Sequence, residues 1–201
     1  MSRESLIFAI SGTVFGLIVG WLIGSQRPVQ SPPAAAAQAA PAPAQAASGA
    51  TRAFDQSRAE ALATQASSEP ANAAVRAQLG NVYFDADRFD EAIRWYQESL
   101  GLNPRDPNVS TDLGIAYYYT NQADRALEQF AHSLSVDPVH TKTLLNQGIV
   151  LAFAKQDLDG AARSWERVVE LAPASPEGQA ASRALEGLRS AHPAAGGGTG
   201  G

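Results

Sequence analysis

The sequence predicts an all-α protein in which helical hairpins stack behind a single N-terminal transmembrane helix. Three observations carry that expectation. Gly80, Gly114 and Gly148 recur every 34 residues, as do Pro104 and Pro138. Around them apolar residues return at three- or four-residue steps, as in Val75, Leu79, Val82 and Tyr83, then Phe89, Ile93, Tyr96 and Leu100, the period of amphipathic helices. Ahead of the repeats, Leu6 to Gly24 carries no charge; as a helix it spans roughly 28 Å, against a hydrocarbon core of about 30 Å.

That apolar run exceeds the roughly 7–15 residues of a cleaved signal peptide core, and Arg27-Pro28 follows it as a stop. Residues 1–27 are therefore expected to be a signal-anchor. Small-x-small sites such as Ala35-Ala36-Ala37 leave cleavage as the alternative. Gly12, Gly16, Gly20 and Gly24 fall on one helical face, and glycine at that spacing lets helices pack backbone to backbone in a bilayer. The membrane, through residues 6–24, and a transmembrane helix partner or self-association are thus expected contacts. Residues 28–52 are rich in proline and alanine and uncharged up to Ala50; such a stretch buries no core and reads as a flexible linker. The glycine-rich tail at 192–201 reads likewise.

Composition narrows the remainder. There is no cysteine, which excludes disulfides, thiolate metal sites, covalent haem attachment and a cysteine nucleophile. The net charge is −5, and every acidic residue except Glu4 and every basic residue except Arg3, Arg27 and Arg52 lies in 53–191. A nucleic-acid binder needs the opposite field, so no nucleic acid is expected as partner.

Three segments align with one another: "LGNVYFDADRFDEAIRWYQESLGLNP" from Leu79, "LGIAYYYTNQADRALEQFAHSLSVDP" from Leu113, and "QGIVLAFAKQDLDGAARSWERVVELAP" from Gln147. Leu79, Gly80, Tyr83, Ala92, Tyr96 and Pro104 are matched by Leu113, Gly114, Tyr117, Ala126, Phe130 and Pro138. Gln147, Gly148, Leu151, Ala161, Trp165 and Pro173 follow as a weaker match, with one extra residue between glycine and alanine; from the weaker match the first helix of the third unit is expected to be less regular. These positions resemble the tetratricopeptide repeat (TPR) family, in its N-terminally membrane-anchored bacterial form. The resemblance implies an α-solenoid over residues 53–191: a half repeat at 53–70, repeats at 73–106, 107–140 and 141–174, and a capping helix at 175–191.

The same residues have a physical reading. Gly80 and Ala92 let the two helices of a unit approach closely, and Asn103-Pro104, Asp137-Pro138 and Ala172-Pro173 end each second helix, because proline disfavours helical geometry in the residue before it. One hairpin cannot bury its own apolar face, so each unit leans on the next. Asp55 is a candidate N-cap, as is Ser175, which Pro176 and Glu177 follow. Ala181, Ala184, Leu185 and Leu188 form the single stripe of a solvating last helix.

No catalytic constellation, cofactor motif or metal site emerges. His132, His140 and His192 lack helical metal spacing and are expected at the surface. Asp85, Asp87, Asp90 and Glu91 lack the glycine and terminal glutamate of a calcium loop and read as a solvated turn. The protein is therefore expected to be no enzyme, to need no cofactor, and to bind a protein partner.

The family resemblance implies a concave groove, lined by the first helices, that receives a peptide or helix. Carried over by position, it comprises Asn81, Phe84 and Asp85, then Thr111, Ile115, Tyr118 and Tyr119, then Lys142, Leu145, Ile149 and Phe153. Of the positions with which some members grip a C-terminal carboxylate, only Asn81 and Lys142 match, while Ala77, Asp112 and Asn146 depart. A groove for an apolar or helical segment is expected. Arg3 and Arg27 nearly balance across the span, and the short N-terminal tail and uncharged tether resemble bacterial inner-membrane proteins with a periplasmic domain. The layout is that of a membrane-anchored interaction scaffold, for instance in envelope complex or cytochrome c assembly. The alternative is a structural subunit recruited through its glycine-striped span.

Overall fold

The computed structural model describes residues 53–191. The expected anchor, the linker up to Arg52, the residues Gly12, Gly16, Gly20 and Gly24, and His192 lie outside the described residues. Among the described residues there is no strand, and no helix is long and apolar enough to cross a membrane. Eight helices follow one another: α1 (Gln56–Ser68), α2 (Ala73–Phe84), α3 (Phe89–Leu102), α4 (Pro107–Tyr119), α5 (Ala123–Val136), α6 (Thr141–Phe153), α7 (Leu158–Leu171) and α8 (Pro176–Ala191). Each packs most extensively on its sequence neighbours. Helices α2/α3, α4/α5 and α6/α7 form three hairpins, flanked by α1 and α8.

Local chemistry sets the boundaries. Asp55, Asn72, Asp106 and Asp157 accept backbone N–H bonds as N-caps of α1, α2, α4 and α7, satisfying donors that the first helical turn leaves unpaired. The Ser175 hydroxyl does the same for α8, accepting from Gly178 N at 3.0 Å. At the other ends, α3, α5 and α7 stop directly before Asn103, Asp137 and Ala172, because each of those precedes a proline and leaves helical geometry.

The turn inside each hairpin is closed by a residue with positive φ: Asp87 at 58°, Asn121 at 60° and Gln156 at 56°. Aspartate and asparagine tolerate this left-handed conformation better than other non-glycine residues. The extra residue of the third unit sits here. Asp157 N donates to Leu151 O across one residue more than separates Arg88 N from Tyr83 O or Gln122 N from Tyr117 O. The expectation of a less regular first helix is thus corrected: α6 is as long as α4, and the insertion is absorbed in the turn, where lengthening disturbs no packed face.

Inside each hairpin an aromatic ring of the second helix lies against the glycine of the first. A Cβ on Gly80 would stand 2.5 Å from Tyr96 Cε1, one on Gly114 would stand 2.5 Å from Phe130 Cε1, and one on Gly148 would stand 2.6 Å from Trp165 Cδ1. All three rings are buried, each contributing about 1.5–3 kcal/mol by transfer from water. Ala92, Ala126 and Ala161, also buried, complete the close approach. The Tyr96 hydroxyl donates to Asn81 Oδ1 at 2.7 Å and Trp165 Nε1 donates to Leu145 O at 3.1 Å, so the polar atoms carried by these rings are satisfied. Ser99 and Ser133 pin the open ends of the first two hairpins by donating to Ala73 O and Pro107 O, each at 2.9 Å.

The ends are capped by burial on one side only. Ala59, Leu62 and Ala66 of α1 pack on Val75, Leu79 and Val82 of α2. Ala181 and Leu185 of α8 close the cluster around Trp165 and Val168.

Gly114→Ala is expected to destabilise the repeat domain by about 1–3 kcal/mol through overpacking against Phe130, although alanine is the better helix former. Urea unfolding followed by circular dichroism checks this; an unchanged or raised midpoint would refute the seat.

Candidate functional site

The first helices of successive hairpins meet along one face. Helix α2 reaches α4 through the Phe84 and Tyr119 rings, 5.9 Å apart. Helix α4 reaches α6 through Thr111 Oγ1 and Thr143 Oγ1 at 2.6 Å and through Lys142 Nζ, which donates to Asp112 Oδ1 at 2.6 Å.

This close approach changes the expected groove. Thr111 is 0% exposed, Ile115 1%, Leu145 3% and Ile149 3%. These four residues are corrected from lining to packing positions: Ile115 joins the core around Phe130, and Leu145 and Ile149 pack with Trp165 and Leu185. Position along a helix, which is what a carry-over by motif transfers, does not report how near the neighbouring first helix stands. The other positions reach the surface to differing degrees. Asn81 and Asp85 are exposed, Phe84, Tyr118, Tyr119 and Lys142 are half-buried, and Phe153 is 43% exposed.

The residues at the two matching carboxylate-gripping positions are engaged within the fold. Asn81 Oδ1 accepts from Tyr96, and Lys142 is paired with Asp112. Burial pushes the Asp112 carboxyl up, and the Lys142 ammonium opposes this. Asn146 is buried; its Nδ2 donates to Lys142 O and its Oδ1 has no partner. This part of the face offers acceptors and a neutralised lysine, with no free cation to hold a carboxylate.

The aromatic side chains assemble into a ladder. Phe89 stacks on Tyr119, centroids 4.5 Å apart and planes at 6°. Phe84 meets Phe89 edge-on at 5.2 Å, and Tyr118 stands 6.0 Å from Tyr119. Tyr117, beside them in sequence, is buried, with its hydroxyl accepting from Gln97 Nε2 at 2.6 Å and Arg125 Nη2 at 2.5 Å. Phe89 was not among the expected site residues. Its signal was its place at the start of α3, directly after the turn that carries Asp87.

A second feature escaped the sequence. Thr111, Ser133 and Thr143 form a buried hydroxyl cluster, with Ser133 to Thr143 at 2.8 Å. His140 covers it, Nδ1 lying 2.6 Å from Thr143 Oγ1 and Nε2 3.1 Å from Asn108 Oδ1. The expectation of a surface histidine is corrected for His140: it is half-buried at the junction of the second and third hairpins, whereas His132 is exposed. Burial lowers the His140 pKa; Asp137, Asp112 and Asp106 oppose this, and Lys142 adds to it. Among the described residues, no group of three or more His, Asp or Glu side chains is placed to hold a metal ion.

Because the folded state prefers neutral His140, its contribution to stability is complete above the ordinary value of 6.5 and is lost as pH falls from there toward the lowered value. As pH falls below 6.5 the unfolding midpoint is therefore expected to drop, and His140→Gln is expected to flatten the drop. Identical slopes for both proteins would contradict this reading.

Residues 80–121 match a family model described as TPR repeat, and residues 111–176 match one described as tetratricopeptide repeat. No curated protein matches the chain. Among solved structures, the first TPR of Spaghetti (RPAP3), bound to the HSP90 peptide SRMEEVD, is 29% identical, with 61% of this chain and 94% of that chain covered and a TM-score of 0.55. The first TPR domain of human RPAP3 is also 29% identical, covering 59% and 91%, with a TM-score of 0.55. The crystal structure of MamA, at 17% identity, covers 67% and 81% with a TM-score of 0.56 and shares the fold. Residues 80–176 of this all-α array of stacked hairpins are thus similar to tetratricopeptide repeats.

Proposed function

We propose that the chain is a membrane-anchored adaptor whose repeat domain receives a segment of a partner protein on the face carrying Phe84, Tyr118, Tyr119, Lys142 and Phe153, with Asn81 and Asp85 beside them. The observation that carries this is the aromatic ladder, which spans two hairpins and stays partly open to solvent. Large aromatic side chains with polar tips are the usual anchors of interfaces, and the Spaghetti (RPAP3) domain, of similar fold, holds a peptide. The partner differs from that peptide. An acidic segment such as SRMEEVD would meet Lys142 already neutralised by Asp112.

In this reading residues 1–27 anchor the chain in the inner membrane and residues 28–52 tether the solenoid on the periplasmic side, where it gathers clients or assembly factors of an envelope complex, cytochrome c assembly being one setting. The second reading rests on Gly12, Gly16, Gly20 and Gly24: a structural subunit recruited by its span. Deleting residues 1–27 separates the two, since an adaptor still binds its partner in vitro and a span-recruited subunit does not. A reporter fused after Gly201 that is active only outside the cytoplasm tests the orientation.

In a pull-down from membranes, Tyr118→Ala with Phe153→Ala is expected to reduce partner recovery at least about tenfold, as loss of interface anchors does, with helix content unchanged. Unchanged recovery would remove this face as the site. The SRMEEVD peptide is expected not to bind in calorimetry.

A further inference from the structure

The turns that close the three hairpins lie at 85–88, 120–122 and 154–157, at the end of the array where α2, α4 and α6 finish. With the first residues of the following helices, the segments 85–91, 120–125 and 154–159 hold seven carboxylates against three cations, Arg88, Arg125 and Lys155. All three cations are committed locally. Arg88 bonds Glu91 and lies 4.5 Å from the Phe54 ring centroid and 4.8 Å from that of Tyr83. Arg125 bonds Gln122 and Tyr117, and Lys155 Nζ donates to Asp124 Oδ1 at 2.7 Å. The connections at the opposite end, taken with the first residues of the helices that follow (103–109, 137–143 and 172–177), hold three carboxylates, Asp106, Asp137 and Glu177, against Arg105 and Lys142. Negative charge is therefore concentrated at one end of the solenoid.

The aromatic ladder runs to that same end. Phe84, Tyr119 and Phe153 are the last residues of α2, α4 and α6, and Phe89 is the first of α3. Burial raises the pKa of the Tyr119 hydroxyl and the charge of Asp87 raises it further, so the carboxylate field reaches the rings. Aromatic faces attract cations within about 6 Å, and neighbouring carboxylates reinforce that preference. An acidic peptide, a phosphate backbone or an anionic lipid surface would meet like charge here.

We propose that this edge docks a basic amphipathic segment of a protein partner, its apolar side chains on Phe84, Phe89, Tyr119 and Phe153 and its lysines or arginines over the turn carboxylates. This rests on the reading of the ladder as a partner surface and adds the chemistry of the partner.

The test uses the full chain and two fluorescein-labelled probes in anisotropy titrations: a helical peptide of leucine and lysine in amphipathic order, and the same peptide with each lysine replaced by glutamate. The lysine probe is expected to bind at least about tenfold more tightly. Asp85→Asn with Asp87→Asn, which preserves side-chain size and suits the left-handed turn, is expected to weaken it about fivefold and to flatten its salt dependence. Phe153→Ala, at an exposed position, is expected to weaken it as well. Equal affinity for the two probes, or an unchanged affinity in the Asp85/Asp87 variant at full helix content, overturns the proposal. Photo-crosslinking from position 153 in cells distinguishes the two levels of the argument. A crosslinked partner segment with net positive charge supports the proposal. An acidic or uncharged segment overturns the basic-segment proposal and leaves the partner surface standing. Absence of any crosslink from positions 84, 119 and 153 removes the surface itself.

Discussion

Everything in the repeat domain depends on an aromatic ring pressed onto a glycine. Tyr96 on Gly80, Phe130 on Gly114 and Trp165 on Gly148 leave no room for a Cβ, which lets the two helices of each hairpin approach closely. Interiors pack at near-crystalline density and pass strain on to their neighbours. Three similar hairpins then stack, each burying what the last leaves open. The seat also tolerates chemical variety, since Tyr96, Phe130 and Trp165 differ in size and polarity. Asn81 answers the Tyr96 hydroxyl and the Leu145 carbonyl answers the Trp165 N–H, while Phe130 needs no answer.

The same constraint disposes the first helices so that they meet. Between α4 and α6 they come close enough for Thr111, Ser133 and Thr143 to share hydrogen bonds out of contact with water, under His140. Unpaired, those hydroxyls would cost free energy in the interior; paired, they fix how the second hairpin meets the third. Between α2 and α4 the contact is made by rings, and some of their surface stays open. The junctions thus do different things: one is sealed by a polar cluster, and the other carries the ladder that we read as the partner surface.

Much of this was legible in the sequence because it is periodic. Gly80, Gly114 and Gly148, the aromatics sixteen or seventeen residues later, and the prolines that end each second helix recur at 34 residues, or 35 into the third unit, so their shared role shows without a structure. The cap residues Asp55 and Ser175 were legible for a local reason: each acts on N–H groups within its own first turn. Thr111, Ile115, Leu145 and Ile149 misled because burial there is set by the distance to the next helix, which no residue in the motif encodes. The hydroxyl cluster draws on three helices with no common period. Asn81 read as a ligand position, although its oxygen is committed to Tyr96. The acid-rich edge was visible only as a cluster at Asp85 to Glu91; its extension through Asp124 and Asp159 needed the turns to be brought together.

Ring and glycine act as one unit, and a double-mutant cycle tests this most directly. Gly114→Ala and Phe130→Leu would be made singly and together in the full chain, with unfolding free energies taken from urea titrations. If the ring occupies the space a Cβ would need, Gly114→Ala costs far less when residue 130 is leucine, and the cycle shows a coupling of about 1 kcal/mol or more. Additive effects within about 0.3–0.5 kcal/mol, the range for independent sites, would show that the two residues do not meet as described and would contradict the account.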